Sequence, residues 1–188
     1  FTDEWGITWE VAIKGYMGVA IKHPLDDMTK LDSYKLPFET IDDIAKAYQK
    51  PSGEPDKFRL GWGGDFFHRL CWIRGMENVM MDLAYGTKEI YKLRDMCIEF
   101  FAKQVSAVCK TDVDGICFAD DFGSQTNLLM SPAQWRDFIK PFYKEILSIC
   151  RDAGKYIFFH SDGNIIEIIE DLIELGVHAL NSQLKCMD

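Results

Sequence analysis

The sequence predicts an α/β fold in which helices cover a sheet of parallel strands. From residue 58 onward, short apolar stretches alternate with longer segments whose apolar residues recur at helical spacing. Strand, helix and strand in this order indicate parallel strands joined by right-handed crossovers. The short stretches are apolar throughout, which is typical of strands that helices cover.

Length and charge limit the classes of protein that this chain can represent. A chain of 188 residues can bury one core, so residues 1–188 are expected to form a single domain. Thirty acidic against 21 basic residues give a net charge of −9, which repels phosphate backbones and anionic membrane surfaces. No apolar run approaches the roughly 20 residues that cross a bilayer. Neither a nucleic-acid nor a membrane partner is therefore expected.

The first residues and the cysteines point to the cytoplasm. The chain begins Phe1-Thr2-Asp3, without the basic and apolar segments of a secretion signal, and its natural start is expected to be missing. Its six cysteines form no C-x-x-C pair and mostly lie in apolar contexts. Reduced thiols in the core are therefore expected.

The amino-terminal third is irregular. Phe1–Leu36 mixes aromatic residues with Gly and Pro, and short strands are expected there, one of them near Tyr16–Ile21. Thr40 is expected to cap a short helix, Ile41–Tyr48. Gln49–Lys57 contains two prolines and a glycine and is expected to form a surface loop.

The middle of the chain has clearer periodicity. Phe58–Trp62 is expected to be a buried strand that ends in a turn at Gly63-Gly64, with one or two helices following as far as Leu83. Lys88–Lys110 carries an apolar stripe at helical spacing. Gly115–Ala119 is a short apolar strand.

The last third repeats the alternation. Ser131-Pro132 is expected to open a helix as its cap and first residue, and the helix runs to Asp152, with a break expected at Pro141. A strand, a helix and a further strand then follow, namely Tyr156–Phe159, Ile165–Leu175 and Val177–Leu180. Four or five strands are too few for a closed (β/α)8 barrel, which needs roughly 250 residues. The chain is therefore either an open sheet or, as its abrupt ends favour, the middle of a longer barrel.

Ionisable residues follow two of the predicted strands. Asp120-Asp121 ends the strand Gly115–Ala119, and His160-Ser161-Asp162 ends the strand Tyr156–Phe159. Active sites of parallel α/β proteins lie at the carboxyl ends of the strands. His160, Asp120 and Asp121 are therefore the candidate catalytic residues.

Each of these residues also has a structural interpretation. His160 and Asp162 share a face if the strand continues, and they either hold a zinc ion or act as a base with its orienting carboxylate. Asp162 alternatively caps the next helix. Only one of Asp120 and Asp121 is expected to face the pocket, as a carboxylate with a raised pKa or as a cation ligand, while a turn-stabilising Asp is the alternative.

Weaker candidates surround this site. Gln125 and Asn127 lie on the loop after Asp121, where they can contact the polar edge of a substrate. Trp62 is one of several aromatic residues that can form the floor of a pocket for a flat ligand. His23 and His68 are isolated and are expected to be surface or packing residues. His178 is expected at the opposite end of a strand from the site.

Several motifs resemble those of the uroporphyrinogen decarboxylase superfamily. They span nearly the whole chain: Asp3-Glu4-Trp5-Gly6, His23-Pro24-Leu25, Arg74-Gly75 with Asp82, Asp120-Asp121-Phe122-Gly123-Ser124-Gln125-Thr126, Met130-Ser131-Pro132, Phe138-Ile139-Lys140-Pro141 and Phe159-His160-Ser161-Asp162-Gly163-Asn164. The resemblance implies a (β/α)8 TIM barrel, of which this chain is the middle portion without the first and last strands.

The superfamily has two branches, and the resemblance distinguishes them. Decarboxylases remove carboxyl groups from a tetrapyrrole without a cofactor, and they carry an essential amino-terminal Asp that this chain lacks. Their pocket Tyr falls near Cys71, which is therefore a candidate substrate-binding residue. Cobalamin-dependent methyltransferases bind zinc through His-x-Cys and a later Cys. His160 matches that His, and Asp162 occupies the position of the first Cys.

The leading hypothesis is a cytoplasmic enzyme that transfers a methyl group between a small molecule and a corrinoid carrier protein. The resemblance implies zinc as the metal, with His160 and Asp162 as ligands or acid–base residues. The first alternative is a decarboxylase, a carboxy-lyase that acts on a tetrapyrrole. The second is a non-catalytic barrel that binds a ligand or a corrinoid protein.

Overall fold

The computed structural model describes residues 1–16, 18–49 and 56–187 and begins with a small antiparallel hairpin. Its strands are β1 (Thr8–Glu10) and β2 (Val19–Lys22). The carboxylate of Asp3 stabilises the hairpin, because its Oδ2 accepts a hydrogen bond from the indole N–H of Trp9 at 2.8 Å. The strand expected near Tyr16–Ile21 is thus present but begins later, and residue 17 lies outside the described residues.

A short helical region follows the hairpin. Two 3₁₀ turns, Met28–Ser33 and Phe38–Thr40, precede helix α1 (Ile41–Lys46). Thr40 occupies the N-cap position as predicted, but its side chain makes no capping hydrogen bond, because its hydroxyl donates to the carbonyl of Pro37 at 2.8 Å. Most of the loop expected at 49–57 falls on residues 50–55, outside the described residues.

Four parallel strands form the main sheet and lie side by side in chain order. The strands are β3 (Leu60–Gly64), β4 (Gly115–Ala119), β5 (Tyr156–Ser161) and β6 (Ala179–Ser182). The predicted α/β class and parallel sheet are confirmed. β4 has the predicted bounds, whereas β5 continues through His160 and Ser161, and β6 lies two residues further along than expected.

Strand β3 differs from the prediction in two respects. Gly63 and Gly64 belong to β3 and form no turn, because the strand must approach aromatic side chains that leave no room for Cβ atoms. A Cβ on Gly63 would lie 2.3 Å from the ring of Phe118, and one on Gly64 would lie 2.3 Å from the ring of Phe101. The strand is also not fully buried, since Trp62 remains 38% exposed.

Helices connect the strands as the periodicity predicts. They are α2 (Phe66–Arg74), α3 (Met76–Tyr85), α4 (Lys88–Cys109), α5 (Pro132–Gln134), α6 (Lys140–Asp152) and α7 (Ile169–Glu174). Gly75, with φ of 87°, separates α2 from α3. The helix expected at 165–175 is divided into a 3₁₀ turn, Ile166–Ile168, and α7.

The helical stretch 132–152 contains a local distortion in place of the break expected at Pro141. Ser131 and Gln134 form a reciprocal capping box, so the predicted start is confirmed. A π turn, Trp135–Ile139, then leads into α6, with Pro141 in its first turn. Because Pro lacks an amide proton, a change of hydrogen-bond pattern here lets the chain stay helical.

The helices of the described chain cover only one face of the sheet. Side chains on that face are fully buried, namely Ile116, Phe118, Ile157 and Phe159. Alternate residues on the other face remain partly or largely exposed, as Leu60 and Tyr156 are. The expectation that helices cover the sheet therefore holds for one face.

No helix in the described part of the chain has the length and apolar character of a membrane span. All six cysteines, which lie within the described ranges, are free thiols, and four of them are buried: Cys71, Cys97, Cys109 and Cys150.

Candidate functional site

Backbone contact between two loops builds the site at the carboxyl ends of β4 and β5. His160 on β5 is in register with Ala119 on β4. Beyond these residues the amide of Gly123 donates to the carbonyl of Asp162 at 3.2 Å. A Cβ on Gly163 would lie 2.2 Å from the backbone of Gly123, so only glycine permits this approach. The contact holds Asp162 close to the end of β4.

Asp121, His160 and Asp162 converge at this point. Nε2 of His160 lies 3.7 Å from Oδ1 of Asp121 and 3.6 Å from Oδ1 of Asp162. One ligand atom from each of the three side chains lies within 4.8 Å of the other two. Their side chains are 35% to 44% exposed, so they remain accessible. We call these three residues the strand-end triad.

Asn181 on β6 orients the imidazole of the triad. It is in register with His160, and its Oδ1 lies 2.6 Å from Nδ1 of that ring. An amide oxygen accepts hydrogen bonds, so this contact fits an imidazole with its proton on Nδ1, a tautomer that presents the lone pair of Nε2 to the two carboxylates. Such a hydrogen bond to the distal nitrogen is typical of histidines that bind metal ions.

The triad fits a divalent cation. Zinc binds His nitrogen and carboxylate oxygen at roughly 2.0–2.2 Å in tetrahedral geometry, which places neighbouring ligand atoms roughly 3.3–3.5 Å apart. The observed separations of 3.6 and 3.7 Å are close to that value. Asp162 is not the cap of the next helical segment, because Asn164 Oδ1 accepts from the amide of Ile166. The carboxylate of Asp162 is therefore available as a ligand.

Asp120 turns away from the triad into the core, where it has no exposed surface. Its Oδ2 accepts from the amide of Phe67 at 2.6 Å and from the hydroxyl of Tyr143 at 2.5 Å. Its Oδ1 accepts from the amide of His68 at 3.0 Å. Asp120 thus binds the free amides at the start of α2, as an N-cap residue does. As expected for neighbouring residues, only one of Asp120 and Asp121 faces the site, and that residue is Asp121.

Burial and hydrogen bonding act in opposite directions on Asp120. Burial raises the pKa of Asp120 to about 7, while the nearby charge of His68, the two amides and Tyr143 favour the ionised carboxylate. Burial and the Asp120 charge raise the pKa of Tyr143 well above its ordinary value. Tyr143 therefore keeps its proton and donates it to Asp120.

His68 lies between the two aspartates, a position that sequence reasoning missed. Its Nδ1 is 3.5 Å from Oδ1 of Asp120, its Nε2 is 3.4 Å from Oδ2 of Asp121, and its ring stacks on Trp72. Burial lowers the pKa of His68, but Asp121, Asp120 and Asp65 outweigh burial and raise it overall. The hydrogen bond with His68 lowers the pKa of Asp121 despite partial burial.

One signal in the sequence does point to His68. Polar residues that follow a strand are the site candidates at β4 and β5, and His68 likewise follows β3 by four residues. The predicted β3 ends at Trp62, however, which leaves His68 six residues beyond the strand and makes it an isolated residue in the sequence. The same signal points to Asn181, which directly follows the predicted strand Val177–Leu180 and lies within β6 in the structure.

Two weaker candidates lie apart from the triad. Gln125 is exposed, and its Oε1 accepts from the thiol of Cys186 at 3.4 Å. Asn127 is also exposed, and its backbone carbonyl accepts from Ser124. In the described part of the chain, no hydrogen bond joins either side chain to the triad.

Trp62 and Cys71 lie closer to the site. Trp62 is in register with Cys117, which is in register with Phe158. It therefore occupies the same sheet face as His160, one row nearer the amino ends of the strands. Cys71 lines a cavity of about 440 Å³ between β2 and α2 that also reaches Asp121. Burial, with a smaller effect of Asp120, raises the pKa of the Cys71 thiol to about 12, so this thiol stays protonated.

The fold and the strand-end triad together describe an α/β protein with a candidate metal centre, and comparison assigns its family. Residues 68–184, more than half of the chain, match the family model described as uroporphyrinogen decarboxylase (URO-D). This chain belongs to the URO-D family, which confirms the resemblance in the sequence. No curated protein matches the chain.

A solved structure shares the fold. It is described as a methyltransferase from Methanosarcina mazei, it has 19% sequence identity, and the TM-score is 0.71. The match covers 94% of this chain and 52% of that chain, so the present chain spans about half the length of that protein.

Proposed function

We propose that this chain forms the metal-binding part of an enzyme that transfers a methyl group between a small molecule and a corrinoid carrier protein. The observation that carries the proposal is the convergence of Asp121, His160 and Asp162 at the ends of two neighbouring strands. His160 also stands where the methyltransferase branch of the superfamily has its zinc-binding histidine.

The proposal includes the architecture around the site. We infer that the four parallel strands are an arc of a (β/α)8 barrel. Two observations support this inference: the fold matches about half of a longer protein, and one face of the sheet lacks a covering layer within the described residues. In such barrels the carboxyl ends of the strands form the active site, and the triad lies there.

Each residue of the proposed centre has a distinct task. His160 offers Nε2, and Asp121 and Asp162 each offer a carboxylate oxygen. Asn181 orients His160, and His68 holds Oδ2 of Asp121. Oδ1 of Asp121, which also accepts from the amide of Asp162 at 2.8 Å, faces the imidazole. A divalent cation bound here lowers the pKa of a coordinated thiol or water and so favours a nucleophile at neutral pH.

Asp162 in place of a cysteine changes the preference for metals. A carboxylate is a harder ligand than a thiolate, and the centre of one nitrogen and two oxygen ligands suits several first-row cations besides zinc. We therefore expect measurable binding of Co²⁺ and Mn²⁺ as well as Zn²⁺.

The chemistry beside the triad favours methyl transfer over decarboxylation of a tetrapyrrole. A substrate with many carboxylates needs arginine or lysine in its pocket. Among the described residues, neither lines the cavity that adjoins Asp121, where the charged side chain is Asp121 itself. This cavity suits a small molecule better than a polyanion.

Metal binding tests the proposal directly. We expect zinc titration of the complete protein, followed by calorimetry, to show one ion per chain. Loss of an outer-shell partner commonly costs about 10–100-fold in metal affinity, so His160→Ala and Asp162→Asn, which remove ligands, should each cost at least about 100-fold. His178→Ala is the matched control, because this exposed histidine lies just before β6 and bonds the amide of Ile157.

Activity separates the remaining alternatives. We expect the zinc-loaded complete protein to demethylate methylcobalamin in the presence of a thiol acceptor, and His160→Ala to lose this activity. Zinc binding without demethylation would support the non-catalytic barrel. Carboxyl loss from uroporphyrinogen that survives His160→Ala would support the decarboxylase and contradict the proposal.

A further inference from the structure

A cavity of about 440 Å³ adjoins the strand-end triad and shares Asp121 with it. We call it the hairpin cavity, because β2 forms one wall and α2 another. Its remaining walls are mostly apolar: Val19, Ala20, Phe67, Trp72, Met76 and Leu129. This volume lies within the range of roughly 300–1,000 Å³ that is typical of small-molecule pockets.

Polar groups line only a small part of the hairpin cavity. His23 and His68 join Asp121 there, and each histidine is already engaged. Nδ1 of His23 lies 2.8 Å from the carbonyl of Trp72, and both ring nitrogens of His68 face carboxylates. Apolar walls with a few polar groups at one end orient a ligand that has an apolar body and one polar atom.

The charges around the hairpin cavity disfavour an ionic ligand. An anion would meet the carboxylate of Asp121, and the described walls contain no lysine or arginine to balance it. A cation would lose its hydration against the apolar walls, while the carboxylate of Asp121 is already engaged by His68 and by the amide of Asp162.

We propose that the hairpin cavity binds the small-molecule substrate, and that this substrate is uncharged, with an aromatic or branched alkyl body and one polar heteroatom. This inference rests on the proposed function and specifies its substrate class. The apolar body lies against Phe67, Trp72 and Leu129, and the heteroatom faces Asp121. In this position the uncharged substrate lies next to the triad.

Three probes of similar size test the inference on the complete protein. Phenol is uncharged, benzoate is an anion and benzylamine is a cation. Ligand-detected NMR should show phenol binding at least tenfold more tightly than either ion. Equal or tighter binding of benzoate or benzylamine would overturn the proposed substrate class.

Substitutions that fill the hairpin cavity test whether phenol binds there. Ala20→Phe and, on a separate wall, Met76→Trp should each weaken phenol binding at least tenfold. Ile21→Phe is the matched control, because Ile21 is the next residue of the same strand, is exposed and does not line the cavity. Thermal melting identifies any variant that fails to fold, and two folded filling variants that bind phenol normally would refute the site.

The two proposals can fail separately. Asp162 does not line the hairpin cavity, so Asp162→Asn should abolish zinc binding while phenol still binds. If the unsubstituted protein binds no zinc but shows the expected phenol pattern, the metal centre is refuted and the cavity stands. Normal zinc binding without any phenol binding refutes the cavity alone.

Discussion

Two clusters of charged residues in this protein differ in how their charges are satisfied. In the outer cluster, between α6 and α7, Asp171 accepts from Lys140 at 2.8 Å and from Arg136 at 2.9 Å. In the strand-end triad, Asp121 and Asp162 face His160 at 3.6–3.7 Å, without a direct hydrogen bond. The outer cluster brings each acid to a base, whereas the triad brings two acids to one imidazole.

The difference shows that the distances between charged groups distinguish residues that stabilise the fold from residues that are available to a ligand. Charges that are paired at hydrogen-bond distance satisfy each other, so little attraction remains for a ligand. In the triad, two carboxylates converge on one imidazole without a hydrogen bond to it, so the site can still attract a cation. Asp120 and Asp121 show the same contrast within one dipeptide, since Asp120 caps α2 and Asp121 faces the solvent-accessible site.

The largest expected effect comes from Asp120. Asp120→Ala should lower the free energy of unfolding by about 3–4 kcal/mol, because it leaves two buried amides and the hydroxyl of Tyr143 without an acceptor. Urea denaturation measures the change. Asp121→Ala is the control and should cost less than about 1 kcal/mol. Equal losses for the two variants would refute the division between a structural and a functional aspartate.

A smaller loss is expected at the loop contact that positions the triad. Gly163→Ala should cost about 2–3 kcal/mol, since φ is 81° and the new Cβ would lie 2.2 Å from the backbone of Gly123. Gly154→Ala is a matched control, because φ is 66° there but no atom lies within 4 Å. It should cost about 1 kcal/mol. Zinc affinity should fall only for Gly163→Ala, and an unchanged affinity would show that the contact does not position the triad.

The outer cluster should contribute a pH-dependent stability. Burial alone would raise the pKa of Asp171, but Arg136 and Lys140 outweigh burial and lower it below its ordinary value of 3.8. A lowered folded-state pKa stabilises the protein above pH 3.8, and this contribution disappears as pH falls through the folded-state pKa.

Asp171→Asn measures that contribution. It should cost about 1–2 kcal/mol at pH 7, and the difference from the unsubstituted protein should shrink as pH falls below about 4. Glu174 provides the control, because it lies on α7 like Asp171 and also pairs with Lys140 but is exposed. Glu174→Gln should have little effect on the free energy of unfolding at any pH. A constant difference for Asp171→Asn between pH 2 and pH 7 would contradict an origin in the ion pairs.

The smallest effect has the opposite sign. Asp162→Asn should raise the stability of the metal-free protein by about 0.2–0.5 kcal/mol, because it removes one of two neighbouring negative charges. Added zinc should then stabilise the unsubstituted protein but not the variant, which thermal melting with and without zinc can measure. A destabilised metal-free variant would show that Asp162 is a structural residue.

Local patterns predicted the regular elements best. The apolar stripe of α4 and the apolar run of β4 were located to within a residue, since helical and strand periodicity depend only on nearby positions. The ends of β3, β5 and β6 were misplaced by about two residues, because contacts with other parts of the chain decide where pairing stops. Gly63 and Gly64 are the clearest case, as rings from α4 and β4 determine that they remain in the strand.

By itself, the sequence determined the α/β class, the family resemblance and the presence of acids and a histidine at the carboxyl ends of β4 and β5. Only the tertiary structure decided that Asp120 points into the core, that His68 lies between Asp120 and Asp121, and that Asn181 orients His160. These contacts join residues 21 to 53 positions apart along the chain. Periodicity carries no information about such pairs, because the packing of strands and loops alone brings them within hydrogen-bond distance.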